Sequence, residues 1–151
     1  MNRETAELRE GEGVDSSSPI SLKIPSRAEY VLLARLVVAQ VGQMAGFGPE
    51  AVYDLKLAVT EAATNVIRHA AVGDFEIEYR ASPRVVEITV TDTGGGFNIE
   101  DLARAPGERG GFGLAVIRNL VDEVALDSTQ GGGTRLTMIR RAAGSVETLD
   151  G

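Results

Sequence analysis

The chain reads as an α/β protein, a two-layer sandwich with a mixed, mostly antiparallel sheet covered on one face by helices. Three observations predict this. Short runs alternate apolar and polar residues at period two. Longer apolar-periodic runs separate them, and each clear strand has one polar face, so the sheet is buried on one side only. The 151 residues, 43% apolar and 25% charged, suffice for one hydrophobic core.

The elements follow in order. Ile20, Leu22 and Ile24 alternate with Ser21 and Lys23, a strand. Ser26–Met44 is long and apolar through Val31, Leu32, Leu36 and Val37, with Ser26 expected as its N-cap. Pro49 suits the first turn of a second helix, running to about Ala70 through Val52, Leu55, Val59, Ala62 and Val66. In Asp74–Arg80 the apolar set is Phe75, Ile77 and Tyr79; in Val85–Asp92 it is Val86, Ile88 and Val90. A third helix is expected at Phe112–Val121, then two weaker strands at 122–128 and 134–140, the last with Leu136 and Met138.

The net charge of −7 belongs largely to the ends. Residues 1–18 hold five acids against two arginines, and residues 144–151 add Glu147 and Asp150. We expect a flexible acidic arm at 1–18, the folded domain at 19–141 and a flexible tail at 142–151. No basic stripe exists to neutralise a phosphate backbone, which argues against direct nucleic-acid binding. No window approaches a membrane span and the first residues lack a secretory signal, so a cytoplasmic protein without membrane partners is expected. Zero cysteines exclude thiolate chemistry, and one histidine, His69, excludes multi-histidine metal sites.

Glycine-rich nucleotide motifs are absent in two familiar forms. Neither lysine, Lys23 nor Lys56, follows a glycine, as a P-loop requires, and no G-x-G-x-x-G occurs. Glycines nevertheless cluster at 94–96, 110–113 and 131–133. Period two places Asp92 on the inward face of its strand, where an ionised carboxylate is costly unless hydrogen-bonded. It suits an amine donor on a ligand, such as a purine NH2, or else it caps the turn that follows. The second cluster opens a helix, where glycines admit an anion to the unsatisfied N–H groups or merely form a hinge. Arg109 just ahead could add a charge-assisted bond to a terminal phosphate. Glu61 and Asn65 stand one turn apart on one helix face, with Ala58, Ala62 and Val66 beside them. Asn65 could offer an amide oxygen to Mg²⁺, and Glu61 could accept a proton from an attacking hydroxyl; the plainer reading is an exposed surface pair.

Together and in order, these motifs resemble the GHKL ATPase superfamily. Glu61-Ala-Ala-Thr-Asn65-Val-Ile-Arg-His69 is similar to its N box, and Asp92-Thr-Gly94-Gly-Gly96 to its D-x-G-x-G box. Arg109-Gly-Gly111-Phe112-Gly113 resembles the second glycine box, and Gly132-Gly133-Thr134 the terminal G-T element. Size and spacing are most similar to the anti-sigma-factor serine/threonine kinases of partner-switching systems. The resemblance covers about residues 20–140.

It implies the Bergerat fold, ATP as substrate and Mg²⁺ as cofactor. Asn65 would coordinate the Mg²⁺ and Glu61 would be the base toward the partner's hydroxyl. Asp92 would accept the adenine amine, with Gly94 and Gly96 shaping the pocket and Thr134 near the adenine. Gly111, Phe112 and Gly113 would offer backbone N–H groups to the phosphates. Residues 97–110 would form the ATP lid, in which Arg109 would contact the γ-phosphate or the partner. The implied partners are a STAS-domain anti-sigma-factor antagonist, which is phosphorylated, a sigma factor, which is sequestered, and a second copy in a homodimer; the apolar first helix is compatible with supplying part of that interface. Two other readings compete: a non-catalytic regulator that binds ATP or only a partner, and a histidine-kinase-type catalytic domain acting on a separate chain.

Overall fold

In a computed structural model the described residues are 18–93, 113–129 and 132–142. The chain order is β1 (Ile20–Pro25), a 3₁₀ turn (Ala28–Tyr30), α1 (Val31–Met44), α2 (Pro49–His69), β2 (Asp74–Ser82), β3 (Val85–Asp92), α3 (Leu114–Leu120), β4 (Glu123–Thr129) and β5 (Gly133–Arg141). The expected arm and tail lie outside the described residues apart from Ser18 and Ala142, as does the expected lid.

Every element expected within the described residues is present. All four strand pairings are antiparallel, in the spatial order β1-β2-β3-β5-β4. The one departure from chain order is β5, which inserts between β3 and β4. That insertion brings the start of the last strand beside the end of β3, with Thr134 the register partner of Asp92.

The period-two pattern holds strictly where the sheet meets the helices. Phe75, Ile77 and Tyr79 of β2 and Val86, Ile88 and Val90 of β3 are all buried, and each residue between them is more exposed. The helical layer supplies Ala34, Val38 and Val41 from α1, Leu55, Ala58, Val59 and Ala62 from α2, and Ile117 from α3. The Tyr79 hydroxyl donates to the carbonyl of Ala34 at 3.1 Å, tying β2 to α1. Burial pushes its pKa well above the ordinary 10.0.

The start of the first helix differs from expectation. Ser26 is not its N-cap: a 3₁₀ turn precedes α1, which begins at Val31 with Tyr30 in the cap position and no side-chain cap. The amide of Ser26 instead donates to the carbonyl of Gly73, so the residue closes the β1–β2 end of the sheet. The second helix starts as expected, with Pro49 in its first turn.

At the far end of the helical layer Arg140 joins three elements. It pairs with Asp54 of α2 at 3.0 Å and donates to the carbonyl of Leu120 at 2.7 Å. A cation at the C-terminus of α3 satisfies an otherwise unpaired carbonyl and complements the helix dipole.

Candidate nucleotide site

Among the described residues, apart from the Tyr79 hydroxyl, the polar side chains of buried residues are Asn65, Asp92 and Thr134, each no more than 7% exposed. All three line one cavity at the open end of the sandwich. Its remaining wall is apolar, with Ala62 and Val66 from α2, Val90 from β3, Leu114 from α3, Leu126 from β4 and Leu136 from β5. Polar groups converging in an otherwise apolar recess are what a planar heterocycle with a few hydrogen-bonding edges requires. The free volume is about 20 Å³, space for roughly one water.

Each polar residue arrives for a local reason. Asp92 continues the inward alternation of Val86, Ile88 and Val90, so the sheet itself turns its carboxylate into the layer. Thr134 sits beside it by register. The close approach depends on Gly133, which adopts φ +96, where a side chain is strained. A Cβ there would run into the carbonyl of Asp92. The sequence reading assigned Gly133 no role of its own; its signal was a glycine run that stops at the first residue of a strand.

Asn65 is buried because α3 packs against the flank of α2, which excludes the plainer reading of an exposed pair. Glu61, one turn earlier, is half-buried and does not line the cavity. Its carboxylate lies against Gly113, where an added Cβ would collide with Oε2. Gly113 has φ +71 and stands in the cap position of α3. One residue later Leu114 forms cavity wall, so this glycine sets both the acid's position and the pocket's edge.

The described structure thus brings together Glu61, Asn65, Asp92, Gly113 and Thr134. Gly94, Gly96, Arg109, Gly111 and Phe112 lie outside the described residues. His69, one turn beyond Asn65 at the end of α2, is half-buried and does not line the cavity. No group of three His, Asp or Glu side chains that could hold a metal occurs among the described residues. An amide oxygen beside one carboxylate fits Mg²⁺, which takes hard oxygen ligands and draws the rest from phosphates and water.

An antiparallel sheet covered on one face by helices, with a carboxylate, an amide and a threonine around one recess, makes a two-layer α/β sandwich with a polar recess between the layers. The family of histidine kinase-like ATPase domains matches residues 24–140. The serine-protein kinase RsbW of Listeria innocua is 35% identical, the match covering 74% of this chain and 81% of that one. The serine-protein kinase RsbW of Bacillus thuringiensis is 33% identical, with 74% and 79% covered. The chain belongs to the histidine kinase-like ATPase domain family, in the branch of the RsbW serine-protein kinases.

Solved structures agree on the fold. A Mycobacterium tuberculosis protein with RsbU and RsbW domains superposes at a TM-score of 0.63 and 19% identity, covering 83% of this chain and 32% of that one. The histidine kinase domain of a blue-light activated kinase from Erythrobacter litoralis gives 0.53 and 18%, covering 91% and 69%.

Proposed function

We propose that this chain is a serine/threonine kinase that uses Mg·ATP to phosphorylate a STAS-domain antagonist, and that it otherwise sequesters a sigma factor. The observation that carries the reading is the convergence of Asn65, Asp92 and Thr134 on one apolar recess, with the Glu61 carboxylate one turn away against Gly113. Membership of a family of ATP-dependent serine kinases supports the same chemistry.

In this reading the adenine enters the recess and its exocyclic amine donates to Asp92, with Thr134 at its edge. Asn65 would hold Mg²⁺ through its amide oxygen, and the ion would supply neutralisation of phosphate charge. From the resemblance, backbone N–H groups of Gly111, Phe112 and Gly113 would face the phosphates, Gly94 and Gly96 would shape the pocket, and Arg109 would meet the γ-phosphate or the partner. Glu61 takes the proton from the partner's hydroxyl as that oxygen bonds to the γ-phosphorus, and the bond to the β,γ-bridging oxygen breaks to release ADP.

The two roles are linked by competition. A phosphoryl group adds about −1.5 to −2 charge to the antagonist, which weakens its hold and leaves the kinase free to bind sigma. We place the protein in the cytoplasm as a homodimer. Among the described residues no helix is long and apolar enough to cross a membrane.

Incubation with labelled ATP and candidate STAS proteins tests the proposal. The expected product is acid-stable phosphoserine or phosphothreonine on the antagonist. An acid-labile phosphohistidine would favour the histidine-kinase reading, and nucleotide binding without transfer would favour the non-catalytic one.

A further inference from the structure

The sheet face turned away from the helices carries a charge pattern that phosphotransfer does not use. Register places Lys23, Glu76, Thr91, Arg135 and Asp127 side by side in one row across all five strands. The four charged residues are exposed and Thr91 is half-buried. From β1 to β4 the signs run positive, negative, neutral, positive, negative. Read backwards, every sign inverts. The neighbouring row, Ser21, Glu78, Thr89, Thr137 and Ala125, is small and neutral apart from Glu78. Most of both rows lines a shallow trough of about 350 Å³.

We propose that this face packs on the same face of a second copy of the chain, about a two-fold axis lying between the sheets and running along β3. The inference rests on the homodimer proposed above and names its surface. Such an axis carries the first strand position onto the fifth and the second onto the fourth. Lys23 then meets Asp127 of the second copy, Glu76 meets Arg135 of the second copy, and Thr91 meets itself. The contact is isologous, so each pair occurs twice.

Sheets pack face to face about 10 Å apart and within about 30° of alignment. The threonines and Ala125 of the central rows are short enough for that spacing. Exposed ion pairs add little affinity each, so the buried methyl groups supply attraction and the charges select the orientation. A net charge of −7 opposes indiscriminate self-association, which favours a patterned contact over a merely sticky one. The third row places Glu87 opposite its own copy, a repulsion with a readable consequence.

Lys23 and Asp127 lie on opposite edge strands, four strand spacings or about 19 Å apart within one chain. They cannot pair in one copy. The test is the mass of the full chain by light scattering and sedimentation across concentration, for wild type, Lys23→Glu, Asp127→Lys, the double variant and Glu87→Gln, with far-UV spectra to confirm folding. We expect a dimer, a rise of about tenfold or more in its dissociation constant for each single reversal, recovery to within about threefold in the double variant, and tighter association for Glu87→Gln. A monomer at every concentration would overturn both this interface and the homodimer. A dimer indifferent to the reversals, or one broken instead by Leu36→Glu on the exposed stripe of α1, would overturn the interface alone.

Discussion

Glu61 and Asn65 are one turn apart on α2, yet their surroundings differ. Asn65 lines the recess, whereas Glu61 is half-buried against Gly113 outside its lining. That difference separates binding from transfer. Glu61→Ala should abolish phosphorylation of the antagonist while changing Mg·ATP affinity less than about threefold, since a general base contributes about 10²–10⁴ to rate. Asn65→Ala should lose nucleotide binding itself, as calorimetry would register. Gly133→Ala forces a left-handed side chain into the backbone of Asp92 and should cost about 2 kcal/mol or more of stability, with weaker ATP binding on titration. Tyr79 offers a pH test. Its folded pKa is raised, so its contribution is complete below about pH 10, the unfolded value, and is lost as pH rises. Tyr79→Phe should cost about 1 kcal/mol at neutral pH and show a shallower alkaline decline in denaturant melts.

At the level of elements, α3 is a short wall of the recess. It is seven residues long, it contributes Leu114 to the recess, and Gly113 stands at its cap. Its other end is held by Arg140, which also grips Asp54. Arg140→Gln removes a charge-assisted bond worth about 1.5–3 kcal/mol, and should raise hydrogen exchange in α3 while leaving β2 and β3 protected. The elements themselves were legible in the sequence because burial on one side imposes a clean alternation, as Phe75, Ile77 and Tyr79 display. The start of α1 was not. Ser26 has the right chemistry for a cap, but its amide is drawn to Gly73 across the sheet end, a tertiary contact no local pattern records. The site was legible in part for the same kind of reason. Asp92 follows from strand phase, whereas the burial of Asn65 depends on α3 coming alongside α2, and the role of Gly133 on a register set by β5.

For the molecule as a whole, nucleotide and fold should be thermodynamically linked. The recess draws on α2, β3, α3, β4 and β5, so an occupant that holds its walls stabilises most of the domain. Mg·ATP at a hundred times its Kd should add about 2.7 kcal/mol to the unfolding free energy. Thermal melts should show a rise in Tm that EDTA reduces and Asn65→Ala eliminates. A melt unaffected by nucleotide in the wild-type chain would contradict the site.

The position of β5 has a consequence for biosynthesis. Of the described strands, β5 is the last in chain order, yet it occupies an interior place in the sheet, between β3 and β4. Until it arrives, β3 presents an unsatisfied edge of backbone donors and acceptors, a template for intermolecular pairing. Nascent chains stalled before Gly133 would therefore be prone to aggregate and unable to retain nucleotide, because Thr134 is still missing from the recess. Competence for ATP would appear abruptly, with the final few residues of the sheet.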